Sequence, residues 1–214
     1  MISTFSSFDR VSLIVGRWTK FITFLVAILC LRIEDALSQT APSGFVVENA
    51  FPTATFNFPT LIVFMPDGRK LVVEKEGRIW VVTSSGIKRS TPFIDLSAKV
   101  LSNDDRGLHG VVLDPDFAAN RWVYMLYTVD PDSDGNDNNI AAFARLERYK
   151  VSLADSNVAD LSTRQILIGA NWALGIPQPP LDRHHMVGTL RFAPDKTLLV
   201  GSGDAANASY MDAG

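Results

Sequence analysis

One pattern recurs three times along this chain: an apolar strand, a Pro-Asp turn and a second apolar strand. Leu61-x-x-Phe64-x-Pro66-Asp67 leads to Leu71. Val112-Leu113-Asp114-Pro115-Asp116 leads to Trp122-Val123-Tyr124-Met125, and Leu190-x-Phe192-x-Pro194-Asp195 leads to Leu198. The three prolines fall 49 and then 79 residues apart. Sheet units repeating every ~40–50 residues are the sequence signature of propeller blades, here with an insertion in the longer interval. A single four-stranded blade cannot bury both of its faces, so it must stack on neighbours around an axis. Closing such a ring takes at least about four blades. The spacing therefore predicts an all-β chain holding about the first three to four blades of an incomplete propeller. The chain ends at Gly214 with no closing strand.

The local signals agree. Leu61–Phe64, Lys70–Glu74 and Arg78–Val82 are β-prone runs, separated by Pro66-Asp67-Gly68 and Glu76-Gly77 turns. Such spacing reads as an antiparallel meander. Phe143–Tyr149 reads equally well as a helix or as a strand with alternating faces. Asp155–Arg183 is poor in strand signal and carries Pro177, Pro179 and Pro180, so it is expected as a long loop capping the ligand-binding face. Strand alternation places Phe64, Val72, Ile79, Val112, Val123, Leu190 and Phe192 between sheets.

The N-terminus reads as a secretory signal over residues 1–38, leaving a partial propeller domain over 39–214. Arg10, Arg17 and Lys20 precede an apolar run of 11 residues, Phe21–Leu31, and Ala36-Leu37-Ser38 offers a small-residue exit. The run is shorter than the roughly 20 residues needed to span a bilayer. The expected location is secreted, extracellular or periplasmic, with no stable membrane insertion after cleavage. The alternative is a retained N-terminal anchor. The one cysteine, Cys30, lies inside this leader, which excludes disulfide and thiolate chemistry from the mature chain. A net charge of −3 without a basic stripe excludes a nucleic-acid partner.

Few residues can carry chemistry. His184 and His185 follow the Pro-rich segment and precede an apolar strand. Adjacent residues at a strand edge point to opposite faces, so only one of the two faces a given pocket. A neutral imidazole there can take a proton near pH 7. Asp204 sits at the same end of the paired strand and is placed to fix the tautomer of His185. The competing reading is a backbone-bonded histidine beside a plain Gly-Asp turn. His109, ahead of Val111–Leu113, reads as structural. Asp130, Asp132 and Asp134 match the first half of a calcium loop, but its twelfth position falls on Ala141 in place of a bidentate glutamate. A solvated hairpin and a weak calcium site both remain open.

Three motifs together resemble the glucose/sorbosone dehydrogenase family. They are Arg106-Gly-Leu-His-Gly-Val-Val-Leu-Asp-Pro-Asp-Phe117, the stretch His185-Met-Val-Gly188-Thr-Leu-Arg-Phe-Ala-Pro-Asp195 leading to Gly203-Asp204, and the opening segment from Phe58-Pro59 to Gly77-Arg78. The resemblance spans roughly residues 45–210. It implies a six-bladed propeller that binds pyrroloquinoline quinone on its top face and a sugar or other small-molecule substrate. His185 then matches the base that takes the sugar hydroxyl proton while hydride passes to the quinone, and Asp204 matches its orienting aspartate. The same resemblance brings Asp105, Arg106 and His184 to the cofactor. Asp105 stands where family enzymes often carry a quinone-contacting glutamine, and His184 where they often carry an aspartate. Calcium and the basic quinone ligands belong to later blades in this family.

Two functions follow. One is a secreted quinone-dependent oxidoreductase acting on a sugar or aldose hydroxyl, with these 214 residues inactive alone. The other is a non-catalytic extracellular binding propeller of the hedgehog-interacting type, recognising a protein or glycan.

Overall fold

The computed structural model describes residues 41–136, 142–178 and 184–203. The expected leader and Asp204 lie outside the described residues. The chain divides into two units, Met1–Asn49 and Ala50–Gly214. The described part of the first holds a turn at residues 43–44 and no regular element. Among the described residues no helix is long and apolar enough to cross a membrane.

The second unit is built of antiparallel sheets. The first sheet has the order β1 (Pro59–Phe64), β2 (Lys70–Glu74), β3 (Arg78–Val82) and β4 (Ile94–Asp95). Its first turn closes as the sequence predicts, with the Gly68 N–H donating to the Met65 carbonyl at 3.0 Å. Gly68 takes a φ of 85°, which a side chain would resist.

The second sheet runs β5 (Leu108–Leu113), β6 (Trp122–Val129), β7 (Ala142–Val151) and β8 (Ala159–Ile168). A short helix α1 (Phe117–Asn120) follows the second Pro-Asp turn. The short strand β9 (Ile176–Gln178) continues the β8 edge, pairing with Ala142–Ala144 of β7. A third sheet opens with the hairpin β10 (Val187–Phe192) and β11 (Leu198–Ser202). The described residues thus reach into the third of the repeated units.

Strand β6 ties the layers together. Its odd residues Val123, Met125 and Tyr127 pack with Leu71, Val73, Ile79, Val81 and Phe93 of the first sheet. Its even residues Tyr124 and Leu126 pack with Leu146, Val187 and Leu190 toward the third. A strand buried on both faces reads as a nearly continuous apolar run, and Trp122–Tyr127 does. Each such side chain contributes roughly 1.5–3 kcal/mol when fully buried.

Two expectations are corrected. Residues 155–183 are not one capping loop, because they contain the ten-residue strand β8 as well as β9. Strand β8 escaped notice because it is a solvated edge, rich in polar residues and buried only at Ala159. Pro177 sits in the three-residue strand β9, in keeping with the tolerance of edge positions for proline. Phe64 is 73% exposed, while Val72, Ile79, Val123 and Leu190 are buried and Val112 and Phe192 pack partly buried on the second core. In β1 the alternation turns Leu61 and Val63 to the core and Phe64 away from it. Phe143–Tyr149 is strand, the inner part of β7.

Candidate functional site

Strand direction gathers several connections at one end of the sheets. The loop 101–107 leads into β5, residues 130–136 leave β6, the described segment 184–186 leads into β10, and Gly203 leaves β11. The Thr128 N–H donates to the Gly107 carbonyl at 3.1 Å, and Thr128 Oγ1 donates to Gln178 Oε1 at 2.8 Å. The β2–β3 turn joins the same end, its Lys75 carbonyl accepting the Leu108 N–H at 2.8 Å.

His185 lies on this rim, exposed, two residues ahead of β10. It is not an ordinary strand-edge residue. Its φ is 52°, in the left-handed region, so strand alternation does not decide where His184 and His185 point. Both lie in a bend and both are exposed. The His185 main chain is gripped from two sides. Its N–H donates to Asp105 Oδ2 at 3.0 Å. On the other side Gly203 packs so closely that a Cβ there would fall on the His185 carbonyl. The Gly203 N–H donates to the Met186 carbonyl at 2.8 Å. The Gly203-Asp204 motif is therefore brought against His185 as far as Gly203.

The loop that presents Asp105 is itself strained and tied down. Asp104 has a φ of 49° and Gly107 a φ of 145°. A Cβ on Gly107 would stand 2.7 Å from Lys75 Cγ, so only glycine fits there. Lys75 Nζ donates to the Asp104 carbonyl, and the Arg106 N–H to the Asn103 carbonyl at 2.9 Å. His109 lies half-buried beneath. Burial and the nearby Lys75 charge lower its pKa, against the pull of the Arg106 and Asp105 carbonyls. Its Nε2 is buried without a hydrogen-bond partner.

The structure thus brings Asp105 and His185 together and keeps His184 beside them. Arg106 is fully buried, so its guanidinium is not presented at the rim. Asp204 lies outside the described residues. Sequence reasoning missed Lys75 and the close approach of Gly203. A lysine before a Glu-Gly turn carries no mark of its role, whereas the Gly-x-Gly around Ser202 was a usable hint of backbone crowding.

Asp130, Asp132 and Asp134 sit in the β6–β7 connection, with carboxylate oxygens within 4.8 Å of one another. The Asp130 carboxylate accepts the Ser133 N–H at 3.2 Å and the Gly135 N–H at 2.8 Å. It therefore organises the turn itself. The Asp132 pKa is raised, chiefly by its hydrogen bond to Asp130.

Residues 56–213 match the Glucose / Sorbosone dehydrogenase family. The chain belongs to this family. Among solved structures of similar fold, one described as an oxidoreductase (glucose dehydrogenase) from Thermus thermophilus is 26% identical, with a TM-score of 0.54 over 73% of this chain and 40% of that one. The PQQ-bound aldose sugar dehydrogenase of Streptomyces coelicolor is 23% identical, with a TM-score of 0.52 over 72% of this chain and 40% of that one. Hedgehog-interacting protein of Mus musculus is 28% identical over 154 residues, 68% of this chain and 20% of that protein. The chain thus spans 20% of that curated relative and about two fifths of the solved structures. Its sheets are propeller blades, and β1, β5 and β10 are the first strands of successive ones.

Proposed function

We propose that the protein to which these residues belong oxidises a sugar or aldose hydroxyl, with His185 accepting the hydroxyl proton on a ring nitrogen. One observation carries the reading: the exposed His185 is held by its main chain from both sides, at the end where three sheets bring their connections together. An imidazole on a main chain fixed in this way needs less reorganisation to meet a substrate hydroxyl, and general-base help contributes about 10²–10⁴ in rate. In this proposal Asp204 accepts a hydrogen bond from the other ring nitrogen and sets the tautomer. Export by the N-terminal leader belongs to the same proposal.

Pyrroloquinoline quinone, when bound, would supply the two-electron acceptor. The described residues fit it only in part. Its carboxylates call for exposed cations, yet Arg106 is buried while Asp104 and Asp105 add two carboxylates to the loop beside His185. The imidazoles of His184 and His185 and the Lys75 ammonium are among the groups at this rim that could face it. Calcium, if required, would find oxygen ligands in Asp130, Asp132 and Asp134 among the described residues.

The test is His185→Ala in the intact protein, assayed with quinone, calcium and a panel of aldoses. Turnover should fall by about 10²–10⁴-fold with quinone binding retained. Unchanged turnover overturns the role of His185. A wild type that neither binds quinone nor oxidises any aldose would point instead to a binding propeller.

A further inference from the structure

We propose that Asp105 is a positioning residue, whose carboxylate holds the main chain of His185 in its left-handed conformation and so aims the imidazole across the rim. The inference rests on the reading of His185 as a proton acceptor, and it assigns to Asp105 a task on this chain's own backbone. A residue with a Cβ adopts a positive φ only when its surroundings enforce it. His185 does so at 52°, and the described contacts to its peptide groups explain how. The Asp105 carboxylate takes the N–H at 3.0 Å, and Gly203 closes on the carbonyl side. A backbone N–H bonded to a carboxylate is among the stronger hydrogen bonds, since the acceptor is charged.

The anchor is useful only if Asp105 is itself fixed. Loop 103–107 is fixed to the first sheet, through Lys75 on the Asp104 carbonyl and through the Leu108 N–H on the Lys75 carbonyl at 2.8 Å. It is fixed to the second through the Thr128 N–H on the Gly107 carbonyl at 3.1 Å. The Asp105–His185 bond then extends this bracing to the third sheet. Three blades are thereby registered at the one residue whose direction matters. Glutamate at this position would carry the same charge on a longer arm and would push the His185 peptide away. Asparagine keeps the length and the accepting oxygen.

The experiment compares Asp105→Ala and Asp105→Asn with wild type in the intact protein by two readouts. The first is hydrogen exchange at the His185 amide. Asp105→Ala should raise its rate by about tenfold or more, with peptides of β6 and β7 unchanged, and Asp105→Asn should restore most of the protection. Unchanged exchange at His185 in Asp105→Ala overturns the clamp. The second is aldose turnover. Asp105→Ala should lower kcat more than it raises KM, with partial rescue by Asn. Equal kcat in Asp105→Ala and wild type overturns the positioning role. If the wild type oxidises no aldose, the proposed reaction fails and the role as aim for a base fails with it, while the exchange data still decide whether Asp105 holds the His185 main chain.

Discussion

The Asp105 carboxylate accepts the backbone N–H of His185 at 3.0 Å, joining residues 80 apart in sequence. The bond connects the loop entering the second blade to the approach of the third. The short side chain of Asp105 reaches the main-chain donor beside it. The structure makes this rim a braced assembly of main-chain contacts with exposed imidazoles mounted on it.

The carbonyl side of His185 gives the first prediction. Gly203→Ala places a methyl group on the His185 carbonyl and close to that of Met186. The β10–β11 hairpin must open or His185 must leave its left-handed conformation. Overpacking of this kind costs about 1–3 kcal/mol. Urea melts should show a lowered midpoint, and aldose turnover should fall further than stability does. A variant with wild-type turnover would show that the close approach at Gly203 is not needed to place His185.

A second prediction concerns the interior of the second blade. Glu147 is fully buried, accepts the hydroxyls of Tyr127 and Tyr149 at 3.0 Å each, and pairs with Arg164 at 2.7 Å. Glu147→Ala strands two buried hydroxyls and a half-exposed guanidinium. Removing one partner of such a network costs about 3–5 kcal/mol. Glu147→Gln should cost less, since its amide oxygen still accepts from a tyrosine. Equal melting temperatures for Glu147→Ala and wild type would show that the network contributes nothing net.

The β6–β7 turn supplies a third. Asp130 is buried, and its carboxylate takes two loop amides. Asp130→Ala should cost about 1–3 kcal/mol as those N–H groups lose their acceptor. Asp132→Ala and Asp134→Ala should each change stability by less than about 0.5 kcal/mol, being exposed. If calcium raises the melting temperature of wild type and Asp132→Ala abolishes the rise, the trio is a metal site as well as a turn.

The blades were legible in sequence because their physics is local. Pro66-Asp67-Gly68 and Pro115-Asp116 turn the chain, and the apolar runs beside them must find cover. Strand β8 was not legible, since Asp160, Ser162, Thr163 and Gln165 give a solvated edge no apolar period. Phe64 misled because a two-residue period fixes alternation but not which face is inside. At the rim, His185 stood out by residue type. The bond that aims it did not, because pairing across 80 residues leaves no local pattern and a left-handed histidine has no sequence mark.

The last prediction concerns alkaline pH. The hydroxyls of Tyr127 and Tyr149 are buried against Glu147, and burial first, then the charge of Glu147, raises both pKa values well above the usual tyrosine range. In the unfolded chain both ionise near about pH 10. Above that pH the unfolded state has released protons that the folded state still holds. Fewer protons bound on unfolding means that stability falls as pH rises, with a limiting slope of about 1.4 kcal/mol per pH unit for each tyrosine. The contribution is fully present below about pH 10 and is lost progressively above it. Urea melts between pH 8 and 11 should therefore show a midpoint that is flat at first and then falls. Tyr127→Phe should flatten the fall, since one of the two groups can no longer ionise on unfolding. A midpoint equally steep in Tyr127→Phe and wild type would mean that Tyr127 does not hold its proton against Glu147, and that the alkaline loss arises elsewhere.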